Sequence, residues 1–329
     1  MKTEVQKLPQ SLVEIKGEIS AEEFEAYIEK AIEEYNQEAE IPGFRRGLTP
    51  EKILLEKIGE DKVLEKAATS AFRNFYPKII EENKIEAIGG PEFRILKLAR
   101  KNPLEFKIIV SVLPEVELPD YKKISREEFG AKVEIAIDNK EIDEKLEQLK
   151  KIVESKNNTK EELNDEFAKK VGNFQNLEEL RKITAQNLEF EKKRKTQDKK
   201  RIEVLKKISE QAEIDIPLIL IEAEKEKMLG ELKKSVSETG FKWDDYLSQI
   251  KKSEQELLKS FDGEARQRVN FGLILREIAE QEKIEVNEEE VEKLSESYAK
   301  IYSRDKISRD YIYGLLKNEK TFAFLENLN

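Results

Sequence analysis

The chain contains neither cysteine nor histidine. Without thiols it has no disulfide framework, thiolate nucleophile or cysteine-ligated metal site. Without imidazole it lacks the commonest metal ligand and the usual general base near neutral pH. Most familiar active-site designs are therefore excluded, and no catalytic residue, metal ligand or cofactor is assigned. No apolar run approaches the roughly 20 residues that a bilayer-spanning helix needs. The opening MKTEVQKLPQSLVEIKGEIS also lacks the hydrophobic stretch of a signal peptide, so a cytoplasmic protein without a membrane partner is expected. A Gly-rich phosphate loop with its lysine and Ser/Thr is missing as well, which speaks against nucleotide-driven action.

Charge is abundant. Asp, Glu, Lys and Arg make up 40% of the 329 residues, against about a quarter in an average globular domain. Apolar residues make up only 38%, but they fall into long helical stripes. That pattern indicates thin helical layers with small cores rather than disorder. The length allows two or three domains. The net charge of -10 argues against a surface that seeks nucleic acid throughout, while leaving room for a small local basic site.

Leu12 to Ile19 reads as a strand. Ser20, with Glu23 three residues on, then caps a helix whose apolar face is Phe24, Ile28, Ala31, Ile32 and Tyr35. IPGFRRGLTP, residues 41 to 50, interrupts regular structure. A helix restarts with Thr49 as its cap and Pro50 at its first position, and Asp61 caps a longer one reaching Glu82. After a Gly89-Gly90-Pro91 turn, one strand holds Phe93 and Ile95. Another holds the alternating Leu104, Phe106, Ile108, Val110 and Val112. Residues 1 to 113 thus form an α+β unit. Residues 114 to 130 read as an extended linker because PEVELPDYKKI carries two prolines.

A short strand over 131 to 137 and a helix begun by Asp138 and Glu141 fill residues 131 to 160. Residues 161 to 329 are overwhelmingly helical, with caps at Asn176 and Asn287, breaks at Pro217 and Gly240, and an aromatic turn at FKWDDYL. The last helix carries Ile307, Tyr311, Leu315, Leu316, Phe322 and Leu325. The fold class is multidomain α+β, an N-terminal α+β domain followed by an elongated, mainly helical one.

The sharpest local signal is GFRRGLTP, Gly43 to Pro50. Its glycines permit a tight exposed loop, Arg45 and Arg46 offer planar and permanently charged donors, and Phe44 adds an apolar wedge. Such a loop can grip RNA phosphate or an acidic protein surface, and it can equally be an ordinary turn between helices. The charged run EKKRKTQDKKR reads as a solvated helix face in preference to a nucleic-acid patch. Tyr298, Tyr302, Tyr311 and Tyr313 suit either aromatic recognition or burial between helices.

IPGFRRGLTPEKIL resembles the ribosome-binding signature of the trigger factor family, whose core is Gly-Phe-Arg-x-Gly-x-x-Pro. Gly43, Phe44, Arg45, Gly47 and Pro50 occupy its fixed positions, and Arg46 the variable place. LPEVELPDYKKI, LNDEFAKKVGNFQNLEELR, AEIDIPLILIEAEKEKMLGEL and RVNFGLILREIAEQEKIEVNEEEVEKL are similar to later segments of that family, in order, so nearly the whole chain is covered. The resemblance implies a ribosome-binding domain over 1 to 113 and a helical chaperone domain over 161 to 329. The strand-helix over 131 to 160 marks where an FKBP-like peptidyl-prolyl isomerase domain is normally inserted. Only a few residues stand in place of that domain here, too few for an independent sheet around a pocket, so isomerase activity is not expected.

What the resemblance implies functionally is an ATP-independent chaperone docked at the tunnel exit of the large ribosomal subunit, on a ribosomal protein and adjacent rRNA. It would bind unfolded nascent polypeptides, reside in the cytoplasm partly on ribosomes, and leave homodimer formation off the ribosome open. Met228, Leu232, Phe241, Trp243, Tyr246, Phe261 and Phe271 are candidates for client binding, each of which can also be plain helix packing. A client-directed isomerase and a helical interaction scaffold stand as the alternative readings.

Overall fold

Hydrophobic alternation near the N-terminus builds a four-stranded antiparallel sheet. In the computed structural model, which describes residues 2–131, 133, 135–301 and 308–328, β1 (Lys2–Leu8) and β2 (Leu12–Ile19) form a hairpin. β4 (Leu104–Val112) then lies between β2 and β3 (Ala87–Lys97), giving the order β1-β2-β4-β3. Register places Val13 opposite Val110 and Ile15 opposite Ile108, and all four side chains are buried. Gly17 faces Phe106, where a Cβ would come within 2.2 Å of the ring. The missing side chain therefore makes room for an aromatic at the centre of the sheet.

Two helices cover that apolar face. α1 (Ala21–Glu38) contributes Phe24, Ile28 and Ala31, and α3 (Glu60–Glu82) contributes Val63, Leu64, Ala67, Ala68, Ala71 and Ile79. The Ser20 hydroxyl accepts from the Glu23 N–H at 3.3 Å, so α1 starts where its cap directs. Between these helices lies α2 (Glu51–Ile58). Pro50 occupies its cap position and no side chain caps it, so Thr49 does not take the expected role; its backbone is held elsewhere, as described below. Gly59, not Asp61, stands at the start of α3, with Asp61 inside its first turn. Gly89, Gly90 and Pro91 are not a separate turn. They lie within β3, at a register irregularity between Ile88 and Glu92 that an edge strand accommodates.

The chain divides into two compact units, Met1–Glu117 with Ile214–Asn270, and Leu118–Glu213 with Phe271–Asn329. In the first, the sheet domain is accompanied by α8 (Leu218–Glu238), α9 (Trp243–Ile250), α10 (Glu254–Ser260) and the start of α11 (Asp262–Gln281). Gly240, at φ 81, follows the end of α8 as expected of a helix stop. FKWDDYL is largely helix and not a turn, because Asp244 and Asp245 sit in the first turn of α9 where acidic side chains are favoured.

The second unit is helical. α4 (Tyr121–Gly130), α5 (Asn139–Asn157), α6 (Asp165–Val171) and α7 (Leu177–Ser209) are joined by the remainder of α11, by α12 (Glu288–Ile301) and by α13 (Arg309–Glu326). The expected extended linker over 114 to 130 thus gives way to a helix at Tyr121. Asp120 accepts from the Lys123 N–H at 3.0 Å, and Tyr121 and Ser125 are buried. The expected strand over 131 to 137 is irregular where it is described; Lys132 and Glu134 lie outside the described residues, as do Tyr302 and Ile307. Asp138 and Glu141 form the expected capping box of α5, and Asn176 caps α7 by accepting from the Glu179 N–H at 2.9 Å.

Tyr121 donates to the Glu282 carboxylate at 2.5 Å, and Lys122 pairs with it at 2.6 Å. Lys122 first, and Tyr121 second, hold the Glu282 carboxyl below the usual carboxylate range. A folded value below the unfolded one adds stability that is complete above the unfolded carboxylate range and fades as pH falls through the folded value. Glu282→Gln is therefore expected to lower the unfolding midpoint in urea at pH 7 and to narrow its gap from wild type as pH drops below about 4. A gap independent of pH would refute the charged role of Glu282.

Candidate functional site

α1 ends where Ala39 donates its N–H to the Tyr35 carbonyl at 2.8 Å. Ile41 then turns into the core, and the chain returns to it at Thr49 and Leu54. Every residue from Pro42 to Leu48 is exposed. The base of this loop is closed by one residue of α1. The Asn36 amide donates to the Thr49 carbonyl at 2.8 Å and its side-chain oxygen accepts from the Thr49 N–H at 3.0 Å, while its backbone carbonyl accepts from the Gly47 N–H at 2.8 Å.

Inside the loop the backbone turns twice. The Phe44 N–H reaches the Ile41 carbonyl at 3.1 Å, and the Leu48 N–H reaches the Arg45 carbonyl at 3.0 Å. Gly43 and Gly47 carry φ of 91 and 81, in the region that side chains disfavour. These two glycines are the local reason that the sequence folds into a projecting loop instead of prolonging α1.

The loop presents mixed chemistry. Arg45 is exposed and has no carboxylate partner among the described residues. Arg46 donates to Glu40. Phe44 is 39% exposed and Leu48 is 70% exposed, the latter among the most open large apolar side chains of the described chain. Phe44, Arg45 and Arg46 are thus brought together on one exposed element, as the sequence indicates. Leu48, Asn36 and Glu40 were not legible as site residues. A lone leucine in a loop has no periodicity to mark it, and the partners of Asn36 lie 11 to 13 residues along the chain.

Asn36→Ala removes both side-chain hydrogen bonds to Thr49, each worth about 0.5–1.5 kcal/mol net. Amide hydrogen exchange at Thr49 is expected to accelerate several-fold while exchange in β4 stays unchanged. Unaltered protection at Thr49 would show that Asn36 does not hold the loop.

The apolar candidates of the helical regions separate by exposure. Met228 is buried, at 5%, and has no surface to offer. Leu232, Phe261 and Phe271 are half-buried, and Phe241 is exposed just beyond α8. Trp243 and Tyr246 stack at 5.5 Å between centroids. Trp243 also donates to Glu254 at 2.8 Å and lies under the Lys233 ammonium, 5.3 Å away. These two aromatics are pinned as well as partly open.

Leu218 and Ile219 in the first turn of α8 and Phe190 on α7, none of them among the client-binding candidates, are all exposed. The charges around Phe190 hide it in any pattern. Of the cations in its run, Lys192 pairs with Glu141, Lys193 with Glu189, and Arg201 with Glu319 and Glu326. Arg194, Lys195 and Lys199 are exposed and have no carboxylate partner among the described residues, so the run is a solvated helix face with three of its seven cations ion-paired. Among the described residues no cluster of three or more acidic side chains is placed to hold a metal, and no helix is long and apolar enough to cross a membrane.

Comparison with known proteins agrees with this arrangement of a sheet domain and helical regions. Residues 1–149 match the family model described as "Bacterial trigger factor protein (TF)", and residues 176–327 match "Bacterial trigger factor protein (TF) C-terminus". The trigger factor of Corynebacterium diphtheriae is 32% identical over 170 residues, which is 51% of this chain and 37% of that protein. That alignment spans little more than a third of the relative. The trigger factor of Natranaerobius thermophilus is 27% identical over 409 residues, covering 98% of this chain and 91% of the relative. The solved structure described as "Promiscuous Substrate Recognition in Folding and Assembly Activities of the Trigger Factor Chaperone" covers all of both chains with a TM-score of 0.60 at 18% identity, so the fold is shared.

Fold and sequence together define a chaperone of the trigger factor type, mixed α+β with a small N-terminal sheet. The chain belongs to the bacterial trigger factor family. It is a short member in one respect: an alignment of 409 positions against 329 residues leaves at least 80 positions of the Natranaerobius protein without a counterpart here.

Proposed function

We propose that the chain is an ATP-independent, ribosome-associated chaperone that docks at the tunnel exit of the large subunit through Gly43 to Pro50 and assists the folding of nascent polypeptides. The observation that carries this reading is the loop itself. Three hydrogen bonds at Asn36 fix its base, and it exposes Phe44, Leu48 and the Arg45 guanidinium, which has no carboxylate partner among the described residues. A planar donor fork next to apolar side chains matches an anionic surface with an apolar spot, as a ribosomal protein and neighbouring rRNA provide. Residues 1 to 113 would form the docking domain and residues 161 to 329 the client-holding domain.

Holding clients requires no bond-making residue. Unfolded segments expose apolar side chains that gain roughly 25 cal/mol per Å² when covered. The exposed Phe241 and the partly open Trp243 and Tyr246 would offer such cover, with Leu232, Phe261 and Phe271 contributing from half-buried positions. Met228 is left out because it is core.

The chain is not assigned an enzymatic activity. The two family matches leave only residues 150–175 between them, and a segment of that length makes no independent sheet domain around a proline-sized pocket. A cytoplasmic location follows from the ribosomal role.

The test has two parts. The protein should pellet with intact ribosomes through a sucrose cushion at low salt, and it should suppress aggregation of a refolding apolar protein without nucleotide. Protein that stays in the supernatant at every salt concentration would refute docking. Unchanged client aggregation across a range of molar ratios would refute holding and leave a helical scaffold as the better description.

A further inference from the structure

Glu40 sits where the chain leaves α1 for the loop. Ala39, whose N–H is tied to Tyr35, is extended at ψ 137, and Ile41 is buried. Between an anchored residue and a buried one, Glu40 faces outward. Arg46 is fixed from the other end, one residue before Gly47, whose N–H bonds the Asn36 carbonyl at 2.8 Å. The two side chains meet, Arg46 Nη2 donating to Glu40 Oε1, with 62% and 76% of their side chains open to solvent. The loop therefore contains two different arginines: Arg45, without a carboxylate partner among the described residues, and Arg46, already engaged by the chain's own anion.

We propose that Glu40 regulates the docking loop as an intramolecular competitor, occupying Arg46 in the free protein and lowering its affinity for the anionic partner. This rests on the docking function proposed above and adds a control to it. A guanidinium carries five N–H donors and can hold two carboxylates at once, as Arg201 holds Glu319 and Glu326. An incoming anion at Arg46 has to displace Glu40 or share the fork with it. If it shares, two like charges lie side by side as the interface excludes water, where their repulsion grows. If it displaces, the Glu40 pairing is lost. Either route makes docking weaker than the loop alone would give, and both keep it reversible.

The sign of the prediction is a gain, which misfolding cannot mimic. Glu40→Gln keeps shape and removes charge, and is expected to bind intact ribosomes about two- to fivefold more tightly at physiological salt, the range that exposed ion pairs span. Glu33→Gln, on an exposed position of α1 with no cation partner among the described residues, controls for the loss of one negative charge and is expected to gain less. Arg46→Ala should abolish the gain, so that Glu40→Gln with Arg46→Ala binds as Arg46→Ala alone.

The proposal is overturned if Glu40→Gln binds no better than wild type, if Glu33→Gln gains as much, or if the gain survives in the Arg46→Ala background. Those outcomes leave docking intact provided that Arg45→Ala with Arg46→Ala loses binding. If that double variant binds like wild type, docking through the loop fails, and the control by Glu40 fails with it.

Discussion

Arg45→Ala combined with Arg46→Ala is expected to lower ribosome affinity by roughly a hundredfold, with little change in the unfolding midpoint. Hydrogen bonds to charged groups contribute about 1.5–3 kcal/mol each when water is excluded, and every 1.4 kcal/mol is tenfold. Neither guanidinium supports the fold. Both project from a loop whose shape is set by Asn36, Gly43 and Gly47, and the one ion pair lost, Arg46 with Glu40, is exposed. Exposed pairs contribute at most about 1 kcal/mol. Because Glu40 already engages Arg46, the larger share of the loss should come from Arg45. Sedimentation of each single variant measures the split, and an equal or greater loss from Arg46→Ala would contradict it.

Phe24→Ala should have the largest effect on stability. Its ring is fully buried at the centre of the N-terminal core, between α1, α3 and the sheet. Truncating a buried phenylalanine costs about 3–5 kcal/mol in lost contacts and cavity, a large part of the 5–15 kcal/mol that a domain possesses. α1 also carries Asn36, so docking should fail with the core as temperature rises. Urea unfolding checks the first claim and ribosome pelleting at increasing temperature the second. A loss below about 1 kcal/mol would mean that the core collapses around the vacancy.

What could be read beforehand was local. Ser20, Asp138 and Asn176 begin helices because a side-chain oxygen and an N–H two or three residues away suffice, and β4 was legible because one of its faces is buried. β1 was not, since six of its seven residues are exposed and nothing in KTEVQKL alternates. The helix over Tyr121 to Gly130 was masked by the prolines before it, and α9 by its aromatic residues.

At the site the same division holds. The two glycines and the arginines announce an exposed cationic loop by themselves. That Asn36 closes its base, that Glu40 takes one arginine and that Leu48 stands open depend on where the chain returns to itself. The client-binding candidates show the limit most clearly: Met228 and Phe241 look alike as apolar residues, yet one is core and the other surface.

The most direct measurement is contact from the loop itself. A photo-crosslinking side chain in place of Leu48, activated in the presence of intact ribosomes, should attach the protein to a component of the large subunit, and adding Arg45→Ala with Arg46→Ala should abolish that product. Protein that pellets with ribosomes yet yields no crosslink from position 48 would show that another surface makes the contact.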